Sequence, residues 1–229
     1  MADIDHSLIW ASGTIAVYFL SLRLFQATRF TLLHPVLVAI ATLIALLSIL
    51  KVDYRVYMEG GGIVSFFLGP AVTALGVLLY EHYPMIRRRG LAISSALLGG
   101  SITGILSAAG IAWVLGASDD IVLSLAPKSV TTPIAIGIVK ITGGIDSLTA
   151  AIVIAVGVFG AALGPMFLRF FRIRGPVAVG MAMGAAAHGI GTARAIEEGP
   201  DCGAASALAM CLNGLITALI APHLVKLFL

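Results

Sequence analysis

Long apolar runs follow one another along this chain, and they leave it few ways to fold. About eight can be marked: Ser7 to Gln26, Leu32 to Leu50, Gly60 to Tyr83, Gly90 to Gly116, Asp119 to Thr142, Ile145 to Phe171, Pro176 to Ile196 and Gly203 to Leu229. Most have the roughly 20 residues a helix needs to cross the hydrocarbon core of a bilayer. Inside that core every backbone N–H and C=O must be satisfied within the segment, so such runs fold as helices. The loops between them are a few residues long, too short for a soluble domain. The sequence therefore predicts an all-α, polytopic membrane protein, one transmembrane domain over residues 1–229 with about seven to eight membrane segments.

Composition points the same way. Of the 229 residues, 59% are hydrophobic and 11% charged, where an average soluble domain is about a quarter charged. The mean hydropathy is +1.07. Net charge is only +3, and the basic residues sit in short clusters between apolar runs. That is the pattern of cytoplasmic loops rather than of a phosphate-binding face, and it argues against nucleic acid as a partner. The start, Met-Ala-Asp-Ile-Asp-His, is acidic where a signal peptide is basic, so the first run is expected to stay as a membrane helix. Cys202 and Cys211 lie nine residues apart. On one helix they would be about 13 Å apart, too far for a disulfide.

Three segments are interrupted. The third carries Gly60-Gly61-Gly62 and Gly69-Pro70, the fifth Pro127-Lys128-Ser129 and Thr131-Thr132-Pro133, and the seventh His188-Gly189-Ile190-Gly191-Thr192 with Arg194. Irregular backbone at membrane depth is tolerated only where it is buried in protein or lines a wet cavity. The fifth and seventh segments are expected to unwind near Pro127–Pro133 and His188–Thr192, with the breaks facing each other. The basic clusters Arg87-Arg88-Arg89 and Arg169, Arg172, Arg174 both belong in the cytoplasm by the positive-inside rule. Three full spans between them would separate them, so one of segments four to six should be re-entrant, and the broken fifth is the best candidate.

A weak internal repeat is visible. Gly100-Ser-Ile-Thr-Gly-Ile-Leu106 resembles Gly214-Leu-Ile-Thr-Ala-Leu-Ile220, and His34-Pro-Val-Leu-Val-Ala-Ile40 resembles Thr132-Pro-Ile-Ala-Ile-Gly-Ile138. The two matches come in the same order, dividing the chain into halves of about 7–116 and 119–229. Repeats with paired broken helices are a transporter feature, with the binding site at their interface.

Candidate binding residues follow from the breaks. Lys128 lies inside an apolar segment, where a lysine costs a few kcal/mol and needs a partner or a wet cavity. With Ser129, Thr131, Thr132 and the N–H groups freed by the prolines it would suit a carboxylate; the plainer alternative is a lysine that snorkels to the interface. Arg194 could grip a carboxylate with two parallel hydrogen bonds, while Gly189 and Gly191 would let backbone approach a ligand and Thr192 would donate to it. The plainer alternative is an Arg194–Glu197 pair on one helix face. His188 could bind substrate or move a proton, or simply be structural. Pro70 and Thr73 stand where the repeat places a counterpart of the seventh segment's break, and could equally shape a kink. The Gly-x-x-x-Gly spacings at Gly100/Gly104, Gly160/Gly164 and Gly180/Gly184 read as close helix packing. No nucleophile–base motif, metal-ligand spacing or cofactor loop is present in the sequence, so neither an enzyme nor a cofactor is expected.

Leu125-Ala-Pro-Lys-Ser-Val-Thr-Thr-Pro-Ile-Ala135 and His188-Gly-Ile-Gly-Thr-Ala-Arg194 resemble the two signature stretches of the LrgB/CidB membrane protein family. Leu68-Gly-Pro-Ala-Val-Thr-Ala-Leu75 with Leu79-Tyr80-Glu81 resembles a third, and the likeness covers nearly the whole chain. His34-Pro35 departs from the Asn-Pro expected there. The resemblance implies an inverted repeat with crossing broken helices, like those of cation-antiporter and anion-transporter folds. It implies a multi-pass protein of the cytoplasmic membrane, a homo-oligomer such as a dimer, working with a small LrgA/CidA-type membrane protein. It also implies one of two functions: secondary transport of small monocarboxylates such as glycolate, glycerate or pyruvate, or holin/antiholin-like control of murein hydrolase export and autolysis.

Overall fold

In the computed structural model, residues 2–28, 30, 33, 35–67, 70, 73–74, 77, 80 and 83–229 are described. They are all-helical and contain no strand. The elements are α1 (Ala2–Thr28), α2 (Pro35–Leu50), α3 (Tyr54–Phe66), α4 (Tyr83–Val114), α5 (Asp119–Leu125), α6 (Thr132–Thr142), α7 (Asp146–Phe170), α8 (Pro176–Glu197) and α9 (Pro200–Leu224), closed by a 3-10 turn at Val225–Phe228. Among the described residues, four stretches are long and apolar enough to cross a membrane: Ser7–Thr28, Gly90–Val114, Asp146–Phe170 and Pro200–Phe228. Large apolar side chains such as Phe19, Ile49, Leu91, Ile141, Phe170 and Leu219 stand exposed on the outside. Bare apolar surface on this scale suits lipid, not water.

The chain divides into two compact units, Met1–Ala71 and Val72–Leu229. In the first, α1 packs on α3. The triglycine does not open a segment, as the sequence suggested, but lies inside α3, whose N-terminus is capped at Asp53, with Arg55 N–H donating to its carboxylate (2.7 Å). Gly60 is there because α1 leaves no room: a Cβ would come within 2.7 Å of Trp10 Cβ. Trp10 meets Tyr57 edge-on at 5.9 Å, and Thr14 shares a hydrogen bond with the Tyr57 hydroxyl (3.1 Å). His34, Gly69, Glu81 and most of 68–82 lie outside the described residues.

The second unit is built on close helix packing. Gly157, Gly160 and Gly164 of α7 face α8. A Cβ on Gly157 would meet the His188 ring at 2.7 Å, one on Gly160 the Cβ of Ala187 at 2.5 Å, and one on Gly164 the sulfur of Met183 at 2.6 Å. On the other side of α8, Gly180 and Gly184 lie against the backbone carbonyls of Cys202 and Ser206 in α9. Small residues let backbones approach where lipid offers no hydrophobic drive to helix association. Two of the three Gly-x-x-x-Gly pairs thus pack helices. Gly100/Gly104 does not: no atom lies within 4 Å of a Cβ built on Gly100, and one on Gly104 meets only the Ser129 hydroxyl. A glycine spacing alone does not say whether the space beside it is filled.

The fifth segment turns back on itself. A straight helix would carry Ile145 on the order of 30 Å beyond Ser124. Instead Ile145 N–H donates to Ser124 Oγ (2.7 Å), and the Thr149 hydroxyl donates to Ser124 O (3.1 Å). Gly143, with φ of +99°, ends α6 and begins the turn into α7. Ile105, Val122, Val130, Ala135, Val153 and Ala221 bury the hairpin among α4, α7 and α9.

Candidate functional site

The tip of this hairpin spans Ala126 to Thr131, between α5 and α6. Pro127 carries no N–H, and its ring clashes with a preceding helical turn, so α5 stops at Leu125. Thr131 is extended (φ −64°, ψ 148°), and Pro133 sits in the first turn of α6, where its missing N–H is not needed. Lys128 projects from the tip, and its ammonium donates to Ser129 Oγ (3.1 Å). Among the described residues no carboxylate pairs with Lys128.

Lys128 and Ser129 line a cavity of about 930 Å³ between the tip, α4 and α8. From α4 the stripe Gly100, Thr103, Gly104 and Ser107 faces it at helical spacing; from α8 come Ala178, Met181, Ala182 and Ala185. Gly104 of α4 stands beside the Ser129 hydroxyl, 3.7 Å from where a Cβ would be, an ordinary contact.

Helix α8 kinks at Ala187 (φ −125°, ψ 15°) and His188 (φ 42°, ψ −132°). The break is narrower than the sequence suggested. Gly189 to Thr192 stay helical, and Gly191 serves packing instead, since its Cβ would come within 2.6 Å of Met183 O. His188 Nε2–H donates to Val153 O of α7 (2.9 Å), which fixes the tautomer and holds the strained residue. The two breaks are joined by one side chain. Asn213 of α9, 2% exposed, donates from Nδ2 to Ser129 O (3.3 Å) at the hairpin tip and to Ala185 O (3.0 Å) before the kink. Its Oδ1 accepts from the Ser101 hydroxyl of α4 (2.5 Å). Asn213, Thr103 and Ser107 were absent from the sequence candidates. The one available signal was an amide in the middle of an apolar span, which must be hydrogen-bonded at that depth.

Of the residues singled out from sequence, Lys128 and Ser129 reach the cavity together. The buried hydroxyl of Thr131 has no partner among the described residues, and Thr132 opens α6 half-buried. Thr192 is buried, donates to His188 O (2.8 Å) and shares a hydrogen bond with Ser206 (2.9 Å). Gly189 sits 3.8 Å from Met210 Sδ by its virtual Cβ, an ordinary contact. Arg194 does not line the cavity. It pairs with Glu197 (3.2 Å) and Glu198 (2.6 Å), and Glu198 also holds Arg169 (3.2 Å). These partners lie one turn further along, at the dipole-negative end of α8, where a cation is favoured. Pro70 and Thr73 are helical and exposed.

A buried helical hairpin, a kinked helix and a lysine in a cavity among apolar spans define a polytopic α-helical protein of the cell membrane. The chain belongs to the LrgB-like family, whose model matches residues 14–227. It is 36% identical over 215 residues to the uncharacterized protein YxaC of Bacillus subtilis, covering 94% of each chain. It is 31% identical over 228 residues to the Holin-like protein CidB of Staphylococcus aureus strain Mu50, covering the whole of both. No solved structure matches it.

Proposed function

We propose that this member of a family with holin-like relatives is a secondary transporter of small organic monocarboxylates, with Lys128 as the residue that balances the substrate's charge. The observation that carries the reading is Lys128 itself. A half-buried ammonium with only a hydroxyl for company among the described residues, facing a cavity in apolar surroundings, lacks the counter-charge it needs. A carboxylate would supply it, with Ser129, Thr103 and Ser107 as further donors to its oxygens. Thr131 and Thr132 stand at the start of α6, whose dipole is positive at that end. His188, Gly189, Gly191 and Thr192 act from behind, shaping the kink, and Arg194 belongs to the charge cluster at the end of α8.

In this reading the two halves of the chain are an inverted repeat. The matching stretches begin α2 and α6, at Pro35 and at Thr132-Pro133, and then fall inside the long spans α4 and α9. The working assembly is a homo-oligomer with a small LrgA/CidA-type protein beside it.

A holin-like pore is the second reading, favoured by the names of the staphylococcal relatives. Proteoliposomes holding this chain, with and without the small partner, separate the two. A carrier takes up labelled glycolate, glycerate or pyruvate saturably and excludes a neutral diol of similar volume. Flux of both that rises linearly with concentration, in liposomes holding both proteins, overturns transport.

A further inference from the structure

The cavity is sorted along its length. Helix α4 lines it from Ala92 to Ser107, about 22 Å at 1.5 Å per residue. Among the described residues, every polar side chain on its wall lies at one end: Thr103 and Ser107 on α4, and Lys128 and Ser129 on the hairpin tip, level with Gly104. Ala185 of α8 is held to the same level through Asn213. Away from that end the wall is apolar, formed by Ala92, Ile93 and Ala96 of α4 and by Val177, Ala178 and Met181 of α8. Near the apolar end Arg87, in the first turns of α4, and Arg174, just before α8, are exposed. At about 930 Å³ the space would hold roughly thirty waters at ~30 Å³ each, far more than a two- or three-carbon acid fills.

A polar, cationic end and a long apolar barrel suit a molecule made the same way. We propose that the preferred substrate class is amphipathic: monocarboxylates with an unsubstituted aliphatic tail. The carboxylate sits at Lys128 and Ser129, and the tail lies along α4 and α8 toward Ala92. This rests on the carboxylate reading above and adds the tail. Short hydroxylated acids use only the polar end and gain nothing from the apolar wall, where a tail hydroxyl would lose its water without replacement. Each methylene buried against that wall strengthens binding by about fourfold.

The test is calorimetric titration of the protein in nanodiscs, corrected against empty nanodiscs, with acetate, butanoate, hexanoate, glycerate and 1-hexanol. Affinity rising about fourfold per methylene from acetate to hexanoate, with hexanol and glycerate weak, is the expected result. Gly100→Leu should flatten the series. No atom lies within 4 Å of a Cβ there, so leucine fills the barrel without disturbing the fold. If all acids bind alike whatever the tail, the amphipathic proposal falls and carboxylate binding stands. If hexanol binds like hexanoate, the cavity takes apolar molecules without regard to charge and the proposal falls. If no acid binds while hexanol does, or nothing binds at all, the carboxylate reading falls with it.

Discussion

The hydroxyl of Ser101 on α4 lies 2.5 Å from Oδ1 of Asn213 on α9, a pairing of two residues 112 apart in the chain. The same amide reaches the hairpin tip and the turn before the α8 kink, so its oxygen and both its N–H groups are used. Replacing Asn213 by Leu removes three interhelical hydrogen bonds. Such bonds average about 0.6 kcal/mol in membrane proteins and reach about 1.7, so the expected loss is about 2 kcal/mol. Unfolding of the purified variant in a denaturing detergent titration measures it. Asn213→Asp keeps the shape but cannot donate to two carbonyls, and should be at least as harmful. A variant as stable as the parent would show that the amide holds nothing together.

Lys128→Gln keeps a hydrogen-bonding side chain, one bond shorter, while removing the charge. If Lys128 balances a carboxylate, saturable uptake should fall roughly a hundredfold or more, because the substrate's charge is then left unpaired. Membrane insertion and melting temperature should hold, since no apolar packing is lost. Unchanged uptake kinetics would move the anion site elsewhere.

Arg194→Gln tests the opposite expectation. Its ion pairs with Glu197 and Glu198 are partly exposed, so their loss should cost less than about 1 kcal/mol. Uptake affinity should stay within about threefold of the parent. A collapse of affinity comparable to that of Lys128→Gln would place Arg194 in the binding site despite its acidic partners.

Position 188 separates backbone from side chain. At φ of 42° a β-branched residue is strongly disfavoured, whereas glycine adopts that conformation freely. His188→Gly relieves the backbone but loses the hydrogen bond to Val153 O, about 1 kcal/mol, together with the ring's packing against Gly157. His188→Val loses the bond and adds about 1–3 kcal/mol of backbone strain, so it should be the less stable of the two. The reverse order in thermal melts would mean the kink is not held as described.

Glycine substitutions read the packing directly. Gly184→Ala should destabilise by about 1–3 kcal/mol, because its Cβ would run into the backbone of Ser206. Gly99→Ala, where no atom lies within 4 Å, should be neutral or gain up to about 1 kcal/mol from helix propensity. Equal melting of the two variants would contradict the close α8–α9 contact.

Of the eight apolar runs in the sequence, four contain helices long and apolar enough to span a membrane among the described residues, and these were legible because length and apolarity are properties of a segment. The sixth segment was marked from Ile145 to Phe171, and α7 runs Asp146–Phe170. The fifth segment's break was visible because prolines act on their own backbone. The break in the seventh was located less well, because Gly191, which looks like a helix breaker, packs against Ala187 and Met183 inside a helical turn. Asn213 was missed for a related reason. Its importance lies in three partners on three other elements, and no local pattern records those. Arg194 shows the converse: its charge suggested a ligand, while acids three and four residues on had already claimed it.

The glycine seam through α7, α8 and α9 also sets what can move. At Gly157, Gly160 and Gly184 only a hydrogen atom separates a backbone from its neighbour, so these helices cannot slide or roll without collision. Any cycle that exposes the cavity first to one side of the bilayer and then to the other must carry the three as a single rigid block, with the His188 kink travelling inside it as cargo.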